Sequence, residues 1–454
     1  MRARPKYTKS LLSDGYQRGN IVIEFLRISS ILDGKSEGEE VHLRGWLYNK
    51  RSSGGLLFLI IRDGTGVIQC VLNRESVGDQ TFDDIDKLPV ESALELSGVA
   101  RKDPRAPGAY EVSIRSFGSI YKAQSGYPIS KKYHGPEFLL DLRHLFIRNP
   151  KLQTILRIRS KLLEAARDWF EENNYTEAHS PSFITAACEG GSTLFEVKYF
   201  DQKAYLSQSW QLYAEASIAV LGDIYTIAPS FRAEASRTRR HLTEYWHLEV
   251  ERPWCDLDEI LKVGDELNSY ICHKLASEMG RELRSLGRDP KDLEKVQPPF
   301  PRITYDEALE MLRKDGHEIS WGDDFGWQQE QPLIKHFDTP CWVTHFPKGI
   351  KAFYHKPDPI RPNVTLSADL LAPGIGEIIG CGQRIHDYNE LLQRMHEENL
   401  SEQDYSWYLD LRRYGSVPHS GFGQGVERTI VWICKLSHIR DAIAFPRLMN
   451  RVFP

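Results

Sequence analysis

"FRAEASRTRRHLTEYWHLEVE" occupies residues 231–251. An arginine and a glutamate stand two positions apart, a run of basic side chains follows, and then come a tyrosine and further carboxylates. The order reads as a strand ending in FRAE, a basic loop ASRTRRH, and a return strand LTEYWHLEVE. Dense cations suit phosphate, the aromatic suits a ring to stack on, and the flanking carboxylates argue against a plain nucleic-acid patch. A nucleoside triphosphate with a metal ion meets all three demands. Arg232, at the end of the first strand, has the planar fork that clamps a phosphate, and Tyr245 on the return strand is placed to stack an adenine. Taken alone, such a hairpin is equally an exposed one with solvated charge.

Outward from it, residues 149–454 mix strands such as KAYLSQ and YTIAPSF with helices near 256–280 and 305–315 and a last helix from about Val426. Regular strand-helix-strand alternation is lacking, which predicts an α+β domain on a mainly antiparallel sheet flanked by helices. KLQTILRIRSKLLEAARDWFEENN, residues 151–174, spaces Ile155, Ile158, Leu162, Ala165, Ala166 and Trp169 along one helical face. In HSGFGQGVERTIVWICKL, residues 419–436, Gly421, Gly423 and Gly425 permit close backbone approach. The helix after them presents Arg428 near its N-terminus, where the backbone field favours anions; no GKS or GKT follows, so this is not a P-loop. In SADLLAPGIGEIIGCGQRIHDY, residues 367–388, Asp369 and Glu377 are candidates to hold Mg2+ against phosphates, with Arg384 facing the same cleft. Each of the three signals is modest by itself.

Nearer the N-terminus, residues 41–120 are short strands: VHLRGWLYN, LLFLIIRD, VIQCVLN, SALELSGVA and YEVSIRSFGSI. RDGTG makes a hairpin of the second and third. Five strands without a strong internal helix predict a Greek-key barrel of the oligonucleotide-binding (OB) kind, whose second and third strands form the ligand face. Phe58 and Gln69 on those strands offer a stacking surface and a base-edge hydrogen bond, and Arg51 a phosphate contact. Read singly, Phe58 is as well a core residue and Gln69 a solvated one. Residues 123–148 read as a hinge. Residues 1–20 carry five Lys/Arg and one Asp and are expected to form a disordered basic arm, with a targeting segment as the alternative. The expected organisation is therefore an arm, 1–20; a barrel, 21–122; a hinge, 123–148; and a large α+β domain, 149–454.

The net charge of -5 over 454 residues predicts no global attraction to nucleic acid, so any such contact must come from local patches. The seven cysteines are odd in number and widely scattered, which indicates neither a disulfide framework nor a zinc site and fits a reducing, cytoplasmic setting. No apolar run approaches the roughly 18 residues of a membrane span.

The order of the constellations is more specific than any one of them. A helix leading to a proline-bearing strand at Pro181, then FRAE with its basic loop and aromatic return, then GxGxGxER near the C-terminal end, resembles the three motifs of class II aminoacyl-tRNA synthetases. The resemblance runs from the barrel to the closing FPRLMNRVFP. An N-terminal OB barrel with Phe58 and Gln69 is similar to the aspartate, asparagine and lysine subgroup, where such a pair reads the central anticodon uridine. QSWQLYAE and GEIIGCGQRIHDY look like its aspartate/asparagine branch. Aspartyl enzymes carry QSPQxxKQ, with a lysine for the substrate carboxylate; here Ala214 stands in its place and Glu215 follows. LLDLRHLFIRN and DLLAPGIGEIIG resemble the asparaginyl group, above all its archaeal and eukaryotic forms.

That resemblance implies ATP-dependent activation of L-asparagine and its transfer to tRNA(Asn), with ATP and Mg2+. It implies Arg232, Glu377 and Arg428 as the catalytic set. ATP falls to Arg232, Glu234, Arg240, His241, Tyr245, Glu377, Gly425 and Arg428, and the metal to Asp369 and Glu377. The amino acid falls to Glu189, Gln211, Glu215, Arg232 and Arg384, with Ser207 or Gln208 shaping the pocket. Glu215 is expected to accept the amide N–H of asparagine and repel an aspartate carboxylate, and Arg384 to donate to the amide oxygen. Arg51, Phe58 and Gln69 are expected to meet the anticodon, GUU. A homodimer is implied, with the 151–174 helix and Pro181 at the interface, although the apolar stripe fits burial within one subunit equally well. Cys381 with Gly382 replaces the usual GS of GGSQR, Gln424 is polar where an apolar residue is usual, and Trp210 is bulky. Two alternatives stay open: a non-discriminating aspartyl enzyme, and a synthetase-like paralogue that activates asparagine or aspartate without charging tRNA.

Overall fold

The computed structural model of the chain describes residues 16–18, 21–188, 193–236 and 238–454. The expected basic arm thus lies almost wholly outside the described residues, as does Glu189. Two compact units divide at Gln153 and Thr154.

In the first unit the strands β1 (Glu40–Ser53), β2 (Leu56–Asp63), β3 (Gly66–Asn73), β4 (Ala93–Lys102) and β5 (Tyr110–Tyr121) close into a barrel in the order β1-β2-β3-β5-β4. Their alternation sets the two faces. Leu57, Leu59 and Ile61 of β2 and Ile68, Cys70 and Leu72 of β3 are fully buried in the barrel core. Two short helices, Arg74–Val77 and Asp79–Asp86, stand between β3 and β4, where the sequence reading expected no helix of note. Phe82 and Ile85 of the second pack into the same core, and the Asn73 side chain caps the first by accepting from the Glu75 N–H at 3.0 Å. Within residues 123–148, read as a hinge, the chain forms the helical turns Pro136–Asp141 and Arg143–Phe146.

The helix α1 (Pro150–Glu172) leads into the second unit. Its six predicted apolar residues are all buried within one chain, Trp169 being the most exposed at 6%. The stripe therefore belongs to the subunit's own core, which was one of the two readings left open. Next come β6 (Thr176–Glu177) and a small sheet of β7 (Phe183–Ile184), β8 (Glu196–Tyr199) and β9 (Gln202–Leu206). The helix α2 (Gln211–Leu221) precedes the hairpin β10 (Ile224–Phe231) and β11 (Glu244–Pro253). Then follow α3 (Leu257–Glu278), β12 (Arg302–Thr304), α4 (Tyr305–Lys314), α5 (Trp327–Ile334), β13 (Cys341–Thr344), β14 (Ser367–Ala372), β15 (Gly376–Gln383), α6 (Ser406–Arg413), β16 (His419–Gly425) and α7 (Val426–Cys434).

Eight of these strands form one sheet in the order β12-β13-β14-β15-β16-β11-β10-β6. Only its outermost pairs, β12 with β13 and β10 with β6, are parallel. The strand β16, late in the chain, sits between β15 and β11. Gln424 on it is 1% exposed, and the fold explains why an amide is tolerated there. Its Nε2 donates to Asn268 Oδ1 of α3 at 2.8 Å and to Thr429 Oγ1 at 3.0 Å, while Asn268 Nδ2 donates back to Gln424 Oε1 at 3.2 Å. A buried amide paired at both ends avoids the cost of an unsatisfied one.

Candidate active site

A cavity of about 860 Å3 opens on the middle strands of this sheet, β11, β14, β15 and β16, and on the N-terminus of α7. It gathers Arg232, Glu234, Arg240, His241, Tyr245, Asp369, Glu377, Gly425 and Arg428, which lie far apart in sequence. Gln211 and Arg384 are on the same wall.

One region of the wall is cationic. Arg428, in the first turn of α7, donates to the Glu377 carbonyl at 3.0 Å and to its carboxylate at 2.8 Å. Arg240 pairs with Glu330 of α5, whose carboxylate also accepts the Glu377 backbone N–H at 2.9 Å. Arg232 lies over the Tyr245 ring at 5.7 Å, with Glu234 3.8 Å from both Arg232 and His241. His241, bonded to Ser236 and Thr238, has its pKa lowered to about 4, first by burial and then by Arg428 and Arg240. Its ring is therefore neutral at physiological pH, and the region's positive charge rests on arginines.

Beside them, Asp369 of β14 and Glu377 of β15 both reach toward Gly380, where an added Cβ would lie 3.5 Å from Glu377 Oε1 and 3.9 Å from Asp369 Oδ1. The partly buried Lys351 grips both Asp369 oxygens at 2.8 and 2.7 Å. Burial pushes Asp369 up, against the pull of Lys351 and together with the repulsion of Glu377. Glu377 is also burdened by burial, but Arg428 and Lys351 overcome this and hold it well below the usual range. Two converging carboxylates, one of them raised partly by the other, form a donor set that fits a divalent cation.

The opposite region is built on buried ion pairs. Arg384 holds Glu251 of β11 through Nε at 3.1 Å and Nη2 at 3.0 Å. Glu249, two residues earlier on the same face, accepts the Trp210 N–H at 2.9 Å and the Ser209 hydroxyl, and so fixes the turn that opens α2. The glycines of β16 serve these groups. A Cβ at Gly421 would lie 2.1 Å from Glu251 Oε2, and one at Gly423 2.4 Å from His247 Nε2. Their close approach is thus to neighbouring side chains of the protein itself. Gly382 likewise makes room for His355, whose Nδ1 would lie 2.3 Å from a Cβ there. The ring that this chain carries at 355 occupies the space a serine at 382 would need. The Trp210 ring, another departure, packs with Ala178, Ala214, Ile218 and Ile224 in the core.

Three sequence expectations change here. Glu215 is not on the cavity wall. Its fully buried carboxylate accepts Gln211 Nε2 at 3.0 Å, Tyr408 OH at 2.9 and 2.8 Å, His419 Nε2 at 3.0 Å, and Arg412. Those donors saturate its lone pairs and leave none for a ligand. Ser207 and Gln208 are buried off the wall as well, Ser207 Oγ donating to the Ser209 carbonyl at 2.8 Å; Ser209 and Trp210 line the cavity instead. The carboxylate facing Arg384 is Glu251, which the sequence reading missed together with Glu249, Lys351, Glu330 and His355. The ligand atoms of Glu215, Glu251 and His419 lie within 4.8 Å of one another, a spacing a metal uses. Arg412 and Arg384 already neutralise both of these carboxylates.

On the barrel, Phe58 pairs with Val71 and Ile60 with Gln69, which places Phe58 and Gln69 on the face opposite the core. The Arg51 guanidinium lies 4.3 Å over the Phe58 ring, so it stacks on that ring rather than standing apart. Gln69 Nε2 donates to Glu111 Oε2 at 2.9 Å.

Comparison with known proteins agrees with both units. The family described as tRNA synthetases class II (D, K and N) matches residues 135–449, and the OB-fold nucleic acid binding domain matches residues 41–119. The asparagine-tRNA ligase of Desulforamulus reducens is 49% identical over 422 residues, covering 93% of this chain and 98% of that protein. That of Pyrococcus horikoshii is 48% identical over 421 residues, covering 92% and 97%. The crystal structure of the Pyrococcus horikoshii asparaginyl-tRNA synthetase complexed with asparaginyl-adenylate aligns at a TM-score of 0.90 with 47% identity, over 95% of this chain and all of that one. An aspartyl tRNA synthetase from Entamoeba histolytica aligns at 0.81 with 26% identity, over 95% of this chain and 93% of that one.

Proposed function

Since the chain belongs to the class II tRNA synthetases of the aspartate, lysine and asparagine group, and within it to the asparagine-tRNA ligases, we propose how its cavity performs their reaction. The chain is an aminoacyl-tRNA ligase that activates asparagine with ATP and charges tRNA with it.

The observation that carries the substrate reading is the Arg384–Glu251 pair on the cavity wall. A guanidinium beside a carboxylate offers one donor and one acceptor, the complement of a primary amide. An aspartate side chain would set its second oxygen against Glu251, and a buried mismatch of that kind discriminates by roughly 10⁴-fold or more. Glu251 thus takes the role that the sequence reading gave to Glu215, while Arg384 keeps its own.

Arg232 holds the α-phosphate and, with Gln211, the amino acid beside it. Arg428 and Arg240 take the outer phosphates, with His241 and Glu234 beside them, Gly425 leaves the helix N-terminus open toward them, and Tyr245 stacks on adenine. The asparagine carboxylate attacks the α-phosphorus in line and pyrophosphate departs. The acyl group of the adenylate then passes to the terminal ribose of tRNA. The nucleophile is already an anion, so positioning and charge neutralisation supply most of the acceleration and no general base is needed. Asp369 and Glu377 would hold Mg2+, which supplies neutralisation of phosphate charge; this chain's own part is to hold Glu377 ionised through Arg428 and Lys351 and to set Lys351 against Asp369.

The barrel face of Arg51, Phe58 and Gln69 takes the anticodon of tRNA(Asn), GUU, with Phe58 as the stacking ring. The enzyme works as a cytoplasmic homodimer. Phe183, Tyr199 and Phe200 support the dimer: they are 48%, 44% and 80% exposed and touch ring to ring at 5.5 and 5.0 Å, next to the exposed Pro181. No helix among the described residues is long and apolar enough to cross a membrane.

Amino-acid-dependent ATP-pyrophosphate exchange, run with asparagine and with aspartate without tRNA, tests the reading. Exchange with asparagine alone is expected. Equal exchange with aspartate would favour the non-discriminating alternative, and exchange without subsequent tRNA charging would favour the paralogue.

A further inference from the structure

The floor of the cavity carries two cross-strand glycine pairs between β15 and β16, Gly380 with Gly423 and Gly382 with Gly421. Paired residues of antiparallel strands face the same side, so a group lying over one glycine stands beside the group lying over its partner. Gly380 and Gly423 line the cavity, whereas Gly382 and Gly421 do not. The Glu251 carboxylate covers Gly421 and the His355 ring covers Gly382. Glu251 and His355 are therefore side by side, and both line the cavity in place of the glycines beneath them.

His355 is also the backbone partner of Arg384. The two face each other in an antiparallel bridge, framed by the Ile385 N–H on the Tyr354 carbonyl at 2.9 Å and the Lys356 N–H on the Gln383 carbonyl at 2.9 Å. Since Arg384 holds Glu251, imidazole, guanidinium and carboxylate form one patch. The ring is 7% exposed, and its Nδ1 is buried without a hydrogen-bond partner. A Cβ added at Gly382 would lie 2.3 Å from that nitrogen. A hydrogen on Nδ1 would press on the glycine, so Nδ1 bears the lone pair. Burial, then Arg384, Lys351 and Arg394, pushes the ring's pKa well below the usual value, so it is neutral. A neutral imidazole has one N–H. Here it is on Nε2, the nitrogen left for the cavity.

We propose that His355 is a specificity-determining residue of the activation step, its Nε2–H donating to the side-chain carbonyl oxygen of the amino acid beside Arg384. An amide oxygen has two lone pairs to satisfy. Glu251 already occupies two nitrogens of Arg384, and His355 supplies a second donor from the adjoining segment. The ring at 355 and a hydroxyl at 382 are alternatives for one space, and this chain has the ring. The inference rests on the asparagine reading above and deepens it by adding a residue to the selection of the side chain.

The test is pyrophosphate exchange by the full-length chain, with L-2-aminobutyrate, in which a methyl group replaces the carboxamide of asparagine, as competitive inhibitor. His355→Leu keeps the bulk and removes the donor. The KM for asparagine is expected to rise about five- to tenfold, while the Ki of L-2-aminobutyrate changes by less than about twofold and the KM for ATP is unchanged. His355→Gln carries an amide N–H near the position of Nε2 and is expected to bring the asparagine KM back to within about threefold of the unsubstituted protein. Gly382→Ser drives a side chain into the ring and is expected to weaken both ligands. Adding His355→Ala clears that space, and the double variant is expected to regain preference for asparagine over L-2-aminobutyrate. Equal weakening of both ligands in His355→Leu, an unchanged asparagine KM, or a His355→Gln no better than His355→Leu overturns the proposal. If His355→Leu does not fold, the double variant decides: a preference no higher than that of Gly382→Ser alone overturns it. Absence of asparagine-dependent exchange in the unsubstituted protein would instead overturn the reaction reading on which the proposal stands.

Discussion

Arg384 and Glu251 stand 133 residues apart in sequence and meet in two parallel hydrogen bonds on adjoining parts of the cavity wall, both nearly excluded from water. Charge-assisted pairs of this fork-to-carboxylate kind fix geometry as well as charge. Glu251→Gln keeps the shape and removes the charge. Its kcat/KM for asparagine in pyrophosphate exchange is expected to fall about 10- to 100-fold, from the loss of charged hydrogen bonds, and its preference over aspartate to narrow. An unchanged asparagine to aspartate ratio would take Glu251 out of substrate selection.

The proposed anticodon contact rests on Phe58. Stacking of a base on an aromatic side chain is worth about 1–3 kcal/mol, so Phe58→Ala is expected to lower kcat/KM for tRNA by roughly 5- to 150-fold while leaving asparagine-dependent exchange as it was. Loss of both activities together would mark a folding defect and leave the barrel face without support.

His241 gives ATP binding a pH signature. Its folded pKa of about 4 lies below the free value of 6.5, so unfolding takes up a proton between these limits and the group withdraws stability as pH falls through that window. Arginine repulsion contributes to the depression, and triphosphate would offset it. ATP binding near pH 5.5 is therefore expected to take up a fraction of a proton that vanishes at pH 8. Calorimetry in buffers of different ionisation enthalpy reads this directly, and His241→Asn should abolish it; uptake that persists in the variant would assign the proton to another group.

Asn268 and Gln424 test the buried amide pair. Asn268→Leu leaves Gln424 Oε1 and one of its N–H groups unmet in the core, with Thr429 its remaining partner, and such a loss costs about 1–3 kcal/mol, to be read as a lowered denaturant midpoint. Adding Gln424→Leu is expected to recover much of the loss, because replacing both partners by apolar groups removes the unmet hydrogen bonds. A double variant as unstable as the sum of the singles would show that the pair does not act as a unit.

Much of this architecture was legible in the residues. The barrel strands announced themselves through alternation and a glycine turn, and Ile155 to Trp169 through helical spacing. The cavity cations were found because FRAE, the basic loop and GxGxGxER occur in a recognisable order. The partners of those cations were not, because long-range pairing leaves no local signal: HLEVE places Glu249 and Glu251 on one face, and nothing nearby tells which of them meets an arginine from residue 384. Glu215 was misplaced although a signal existed. It stands four residues after Gln211, the helical spacing at which two side chains face each other, and that spacing points to a partner of Gln211 rather than to a second wall residue. The helices after Asn73 were short enough to pass for loop, and only the burial of Phe82 and Ile85 in the barrel core shows their part.

The position of β16 sets a schedule for synthesis. The barrel closes on contacts among residues 40–121 and has its own core, so it can form while the rest of the chain is still being made. The large sheet has no such freedom, because its β11 and β15 are joined through a strand spanning His419–Gly425. Until that strand leaves the ribosome, the two halves of the sheet have no common middle and expose unpaired edges, the feature that makes nascent chains clients of chaperones. A ribosome that stalls before residue 419 would therefore release a product with a finished barrel and no place to make an adenylate.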